Sequence, residues 1–477
     1  NIHETALHEE TLTPVGATSK CEPRRDFLRA NDGWFRPVST QTGPDGNLWI
    51  MDWCDKYPCY QNAKANPEGV DRERGRIWRV VYTGKDKAKA VPARESREMD
   101  LSKLSAPELV KLLSHPNNWM RRVARRMLKQ HPEGNTRDSL VDLSKSDVPV
   151  SVRLEAIWAL STIFNQDYRA IEALAKGEAD PSLKAWAARL FGEGGHVGHY
   201  WLDELAGHPD PAVRLAVSVA LRQKREIFLT ADRSHPSDDS MVRSNDPSEL
   251  ETRLLTVSAN AEDRVLPQAI WMAISPALVQ SPDAWLKWLA EVAPKSQPLS
   301  QALVYKSMRR LSDTRDAKNL DRAVAFCEKI QSHDILLAHA LDGLVKGQES
   351  GVIKPTVDVA KPLAAWRASQ NADVRGHAQE LAVLWGDAAA TDELLNVIAS
   401  DKADAKDRTL ALQTLRKVKS DAVRAGMVKL LATKLPQNLA VEAIRAAGDI
   451  GGEELIAPLV SLAGSKDENA RLAAIGA

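Results

Sequence analysis

The sequence predicts a mainly α chain, an α-solenoid of stacked helical hairpins preceded by a small β segment. Three observations lead there. A turn followed by an amphipathic helix recurs about every 30 residues over most of the chain. Turn formers and β-forming residues concentrate in the first 84 residues, where four of the 13 tryptophans also fall. At 477 residues, 43% of them hydrophobic and 27% charged, the chain can bury several packed units. It has no run of about 18 apolar residues that could cross a bilayer.

Taken in order, the β segment reads as three short strands. Leu48-Trp49-Ile50-Met51 follows the turn cluster Gly43-Pro44-Asp45-Gly46-Asn47, and Gly46 suits a positive φ. Arg76 to Tyr82 alternates at its start and is rich in β-formers, and Arg36 to Gln41 reads as a third strand paired through the Pro-Asp-Gly turn. Three such strands cannot bury a core alone, so this piece has to lean on the helices that follow or on something outside the sequence. Residues 85–100 are charged and weakly apolar and read as a linker. Ser105-Ala106-Pro107-Glu108 then opens the first helix with a capping box, and Leu109, Val110, Leu112 and Leu113 supply its apolar face.

From residue 101 to 477 the chain repeats itself. The clearest copies centre on Arg121, Arg153, Lys184 and Arg214, in steps of 32, 31 and 30 residues. Weaker ones recur at Asp373-Val374-Arg375, Lys406-Asp407-Arg408, Leu439 to Ala443 and Asn469-Ala470-Arg471. A 30-residue step holds two helices of three turns, and each pair buries its apolar face only against its neighbours. The basic residue falls near the start of the second helix, within reach of an Asp or a carbonyl in the preceding turn. Val123, Leu154, Ile157, Leu190 and Val217 are the expected core positions. These repeats resemble HEAT repeats over roughly three quarters of the chain. Register is lost between about 222 and 262, where Arg233–Ser240 and Arg243–Ser248 form polar loops that read as a solenoid insertion or a binding loop.

Lys and Arg total 64 and so do Asp and Glu, which argues against a broad electrostatic footprint for nucleic acid. The chain begins at Asn1 without a targeting segment and stops at Ala477 in mid-pattern, so we expect a piece of a longer protein, truncated at its C-terminus. Chemistry-bearing patterns are few. Four histidines (His115, His131, His208, His235) stand in His-Pro dipeptides that mark turns between helices. His196 and His199 are three apart in a Gly-rich stretch, with no further ligand to complete a metal site. Trp285 and Trp288, one helical turn apart, read as core. Nothing matches a P-loop, a G-x-S-x-G or a G-x-G-x-x-G. Cys54 and Cys59 are compatible with a local disulfide or with two unpaired thiols. The candidate site is the rim of the small sheet: Asp52, Trp53, Asp55, Lys56 and Tyr57 after one strand, and Asp71 and Arg72 before the last. A network of Asp–Arg bridges pinning two loops is the structural reading of the same residues.

Several motifs here also match a family. Asn1-Ile2-His3, Asp26-Phe27-Leu28, Asn31 to Val38, Gly43 to Gly46, Asp52-Trp53 and Asp71-Arg72 with Gly75 to Val80 occur in one order, and Asp263-Arg264-Val265-Leu266-Pro267 with Trp271 follows. Together they resemble the end of the β-propeller in PVC-type membrane-bound dehydrogenase-like proteins, which are similar to glucose/sorbosone dehydrogenases and carry HEAT repeats after the propeller. The resemblance implies that residues 1–84 are a terminal propeller blade. It also implies an exported parent, periplasmic or in the cell envelope, that oxidises a sugar or polyol and passes electrons to haem c, with a quinone cofactor. The other propeller blades and a cytochrome c domain of the same chain would be its partners, and His3 would join the rim. The alternative is a non-enzymatic propeller and HEAT scaffold that binds glycan or protein partners through the solenoid. The sequence departs from the family where His3 precedes Glu4-Thr5 and in the cysteines of the 54–59 loop. The blades that would hold cofactor and base are not in the sequence, so no catalytic residue carries over.

Overall fold

A computed structural model describes residues 3–56, 64–65, 67–69, 71, 73–85, 99–164, 171–172, 176–177, 180–194, 200–230, 249–258, 263–349 and 351–477. These fall into two compact units, Asn1–Val242 with Glu262–Ala273, and Arg243–Ala261 with Ile274–Ala477.

The first unit opens with a hairpin that the sequence reading does not reach. Strands β1 (Ala6–Val15) and β2 (Thr18–Arg29) pair antiparallel, with Val15 opposite Thr18 and Gly16 turning the chain at φ +59. Most of both strands is exposed, so the apolar alternation that betrays a half-buried strand is missing. Pro14 and Pro23 are tolerated because each strand of a two-stranded sheet is an edge. The three expected strands follow as β3 (Pro37–Thr42), β4 (Leu48–Asp52) and β5 (Arg76–Val80), antiparallel in the order β3-β4-β5. Gly46, at φ +76, makes the turn between the first two. No described residue beyond 110 lies in a strand.

Helices α1 (Ala106–Leu112), α2 (Asn118–Gln130), α3 (Thr136–Lys145), α4 (Val150–Ile163), α5 (Pro181–Glu193), α6 (Tyr200–Ala206) and α7 (Pro211–Thr230) belong to this unit, as does the start of a later helix up to Ala273. The expected start at Ser105 is present, with the Glu108 carboxylate accepting from Ser105 N at 2.8 Å. Helices stack in two layers: α1 packs on α3, while α2, α4, α5 and α7 pack in series. Leu109, Leu113, Ala124, Leu128, Leu140, Ala156 and Leu160 form one core. Of the five expected core positions, Ile157, Leu190 and Val217 are buried, whereas Val123 and Leu154 are only half-buried. On α2 the buried stripe is Met120, Ala124, Met127 and Leu128, and Val123 stands at its margin.

The second unit continues the pattern with α8 (Glu249–Val257), part of α9 (Leu266–Gln280), α10 (Pro282–Val292), α11 (Leu299–Asp313), α12 (Ala317–Lys329), α13 (Asp334–Gly347), α14 (Ala360–Arg367) and α15 (Ala372–Leu384). Then come α16 (Ala388–Ala399), α17 (Ala405–Arg416), α18 (Asp421–Leu431), α19 (Gln437–Ile450), α20 (Glu453–Ala463) and α21 (Glu468–Gly476). Here α11, α13, α15, α17, α19 and α21 pack in series, and α8, α10 and α12 form part of the other layer. Gly343 permits the close approach of α13 to α11, since a Cβ there would lie 2.3 Å from Tyr305 O. Trp285 is fully buried, as expected of a core residue, and donates Nε1–H to Ser307 Oγ at 3.1 Å. The fold is a mainly α, HEAT-like solenoid with a small β segment before it.

The recurring arginine has the job its position suggests. Arg121 Nη1 donates to His115 O at 2.7 Å and Pro116 O at 3.0 Å. Arg214 and Arg375 repeat this with the carbonyls six and five residues earlier, and Arg408 Nε donates to Ile398 O at 2.8 Å. Each closes a turn whose carbonyls have no helical partner; where the carbonyl is buried, as at Ile398, leaving it unbonded costs about 1–3 kcal/mol. The His-Pro dipeptides add to this, with His115 Nδ1 accepting from Asn117 N and His208 Nδ1 from Asp210 N.

Candidate functional site

Asp52 ends β4 opposite Arg76 at the start of β5, with its side chain fully buried. Its Oδ1 accepts from Arg36 N (2.7 Å) and Cys54 N (3.0 Å), and its Oδ2 from Arg76 Nε (2.7 Å) and Trp78 Nε1 (2.8 Å). A carboxylate offers about four acceptor positions, and here each oxygen already takes two donors. Burial pushes the Asp52 carboxyl up, but hydrogen bonds from Trp78, Arg36 N, Cys54 N and Arg76 outweigh it and hold the group below the usual carboxylate range. An ionised, saturated carboxylate is an anchor and a poor proton acceptor.

The surrounding groups extend that anchor. Arg76 Nη1 bridges to Asp32 Oδ2 at 2.6 Å, and Asp32 in turn accepts from Trp34 N. Arg36 is buried and donates to Phe35 O and to Lys56 O, tying the 54–56 segment to the sheet. Asp71 accepts from Glu73 N and Arg74 N and pairs with Arg74 at 3.0 Å, which closes the turn before β5. Asp45 repeats the Asp52 arrangement in the β3–β4 turn, binding Asn47, Trp49 Nε1 and Arg79. The structure therefore brings Asp52, Lys56 and Arg76 into one bonded group and makes Asp71 a turn-former beside it. His3 lies in the turn ahead of β1, on the other sheet. Arg72, Tyr57 and Cys59 lie outside the described residues, as do His196, His199 and residues 231–248. Cys54 is a free thiol at φ +59, and burial pushes it up.

Beside this network a depression of about 630 Å³ is lined by Val38, Met51, Trp53, Asp71, Arg74 and Ile77. Val38, Trp53 and Ile77 are exposed by 55%, 56% and 67%, so one face of the sheet shows apolar side chains outward, while Trp78, on the face opposite Ile77, bonds Asp52. Among the described residues no three His, Cys, Asp or Glu are grouped to hold a metal ion. The donor set does not fit covalently held haem c, because the four cysteines include no C-x-x-C-H and Cys327 is buried in a helical core. The Asp52 carboxylate itself has no acceptor position left to offer a quinone cofactor.

Two residues that sequence reasoning does not single out as docks hold the β segment to the helices. Asn117 caps α2 with Oδ1 on Trp119 N and donates Nδ2–H to Gly43 O and Pro44 O, each at 3.0 Å. Asp263, 5% exposed, caps α9 by accepting from Val265 N and Leu266 N. Its second oxygen accepts from Ala17 N at the hairpin tip at 2.6 Å. The available signal was the helix-start pattern Asn-x-Trp and Asp-x-Val-Leu-Pro. Nothing in it says that a cap's spare atoms reach a turn 74 or 246 residues away.

A domain family of unknown function (DUF7133) matches residues 2–84. No curated protein matches the sequence. Among solved structures, the chain is similar to Kap121p, at 12% identity and a TM-score of 0.47, over 80% of this chain and 46% of that one. A triple mutant of Kap121p gives 12% and 0.46 over the same shares. The chain thus spans less than half of Kap121p, and at these scores the likeness bears on neither activity nor partner.

Proposed function

We propose that this chain is the non-catalytic, structural part of an exported dehydrogenase-like protein. In this reading residues 1–84 supply a terminal blade that seats against a neighbouring β structure, and the solenoid is a spacer and interaction arm. The parent would oxidise a sugar or polyol and pass electrons to haem c. That last element rests on the family resemblance, and its cofactors would be held by parts of the protein other than these residues. The single observation that supports the structural role is the saturation of Asp52 by four donors behind an exposed apolar row of Val38, Trp53 and Ile77. Charges are committed to holding the sheet's own shape, and apolar groups face outward where a second sheet would cover them.

A dye-linked assay of the 477-residue chain over a panel of sugars and polyols, with added quinone and calcium, tests the reading. No turnover above background is expected. Turnover that disappears in an Asp52→Asn variant would overturn it. A second readout concerns the apolar row: an environment-sensitive apolar dye should bind the chain and lose most of that binding in Ile77→Lys. Equal dye binding by both proteins would refute the seating surface.

A further inference from the structure

The balance of charge over the whole chain conceals a separation between the helix layers of the first unit. Helix α2 carries Arg121, Arg122, Arg125, Arg126 and Lys129 and no acidic residue. Its neighbours in the same layer add Arg153 on α4, Lys184 and Arg189 on α5, and Arg214, Arg222 and Lys224 on α7, against only Glu155 and Glu193 up to residue 224. The opposite layer is slightly acidic, with Glu108, Asp138, Asp142, Asp203 and Glu204 against Lys111, Arg137 and Lys145.

Aromatic rings organise part of this basic layer. Arg125 lies 5.1 Å from the Trp158 ring centre, and Arg189 lies 5.2 Å from that of Trp186. The two indoles meet edge to face at 4.9 Å, and Lys224 lies 4.2 Å from the Phe191 ring. Such contacts ordinarily occur about once per 70–80 residues; here one joins α2 to α4, one joins α5 to α7 and a third lies within α5, while the indole pair links α4 to α5. Glu155, buried between Arg121 at 3.3 Å and Arg125 at 2.8 Å, shows the layer already gripping one carboxylate. Among the described residues no carboxylate pairs with Arg122, Arg126 or Arg189, and the first two are exposed.

We infer that the α2–α4–α5–α7 layer is a docking surface for an extended acidic peptide segment of a protein partner. Neighbouring helices lie about 8–10 Å apart, and an extended strand advances about 3.3 Å per residue. A carboxylate at every third residue therefore matches one helix after another. The chemistry selects a peptide over a nucleic acid. The indole faces are taken up by guanidinium groups and by each other, which leaves little open ring for a base to stack on. The exposed groups of the layer include the guanidinium groups of Arg122 and Arg126, whose N–H forks suit two-point bonding of a carboxylate. This inference does not depend on a redox parent.

The test is fluorescence anisotropy at low salt with three labelled probes. The first is a 15-residue peptide with Glu at every third position in a Gly/Ser background. The second is its isomer with the Glu residues clustered at one end, and the third is single-stranded oligothymidine. The spaced peptide should bind most tightly and weaken as salt rises. Arg125→Ala with Arg189→Ala should weaken it roughly tenfold, an amount in keeping with the loss of two charge pairs, while Arg310→Ala on α11 should leave it unchanged. Because Arg125 also pairs with Glu155, the exposed pair Arg122→Glu and Arg126→Glu gives the same reading without touching a packed contact. Equal binding of spaced and clustered peptides, no effect of either set of variants, or tighter binding of the oligonucleotide would each overturn the inference.

Discussion

Replacing Asp52 with asparagine keeps the side chain's shape and removes its charge. It also turns an N–H₂ group toward donors that now face an acceptor. Two backbone N–H groups, the Trp78 indole N–H and the Arg76 guanidinium meet at this one carboxylate, whose side chain is fully buried. Breaking a buried ion pair by changing one partner costs about 3–5 kcal/mol. Arg76 is 29% exposed and keeps Asp32, which places the loss at the lower end, about 3 kcal/mol. The effect should stay within the β3–β4–β5 sheet, so hydrogen exchange followed by mass spectrometry is the right assay. At about 1.4 kcal/mol per tenfold, amides of β4 and β5 should exchange roughly 100-fold faster. Those of α13 should not change. Protection of β4 within threefold of the parent protein, or equal acceleration in α13, would refute the anchoring role.

Four further outcomes follow from the same geometry. Asp32, Asp45 and Asp52 all sit below the usual carboxylate range when folded, so the unfolded chain binds more protons on acidification. Protection of the sheet should accordingly be full above about pH 4 and fall below it as these groups protonate, measured by exchange across a pH series. Asp263→Ala removes the α9 cap and the hairpin-tip bond together and should cost about 1–2 kcal/mol; limited proteolysis should cut at Gly16–Ala17 sooner, and Gly16→Ala should do the same because its Cβ would lie 2.3 Å from Asp263 Oδ2 at φ +59. Burial pushes the Cys327 thiol far up, so a thiol reagent should label exposed Cys21 in the native protein and reach Cys327 only on unfolding. Gly343→Ala should force α13 away from α11, where its Cβ would meet Tyr305 O at 2.3 Å, and lower the melting temperature of the second unit.

Local signals were enough for the helical architecture. A turn, a cap and an arginine in fixed register specify where each second helix begins, and the carbonyls that Arg121, Arg214 and Arg375 bond lie within six residues of them. The strands β3 to β5 were legible for the same reason, because one apolar face and a Pro-Asp-Gly turn are properties of a short stretch. Tertiary structure alone decided the rest. The β1–β2 hairpin buries almost no face and so leaves no periodic trace, while Val123 and Leu154 miss the core by a rotation that only neighbouring helices set. Asp52 looks in sequence like one more rim carboxylate. Its role follows from Arg76 and Trp78 arriving from β5 and Arg36 from the loop before β3. The same holds for Asn117 and Asp263, whose second bonds reach turns far away in the chain, and for the basic layer, which exists only once four helices lie side by side. Sequence determines what each segment can bond within its own reach; which donors converge on one acceptor, and which charges share a face, depends on packing between segments that no local pattern encodes.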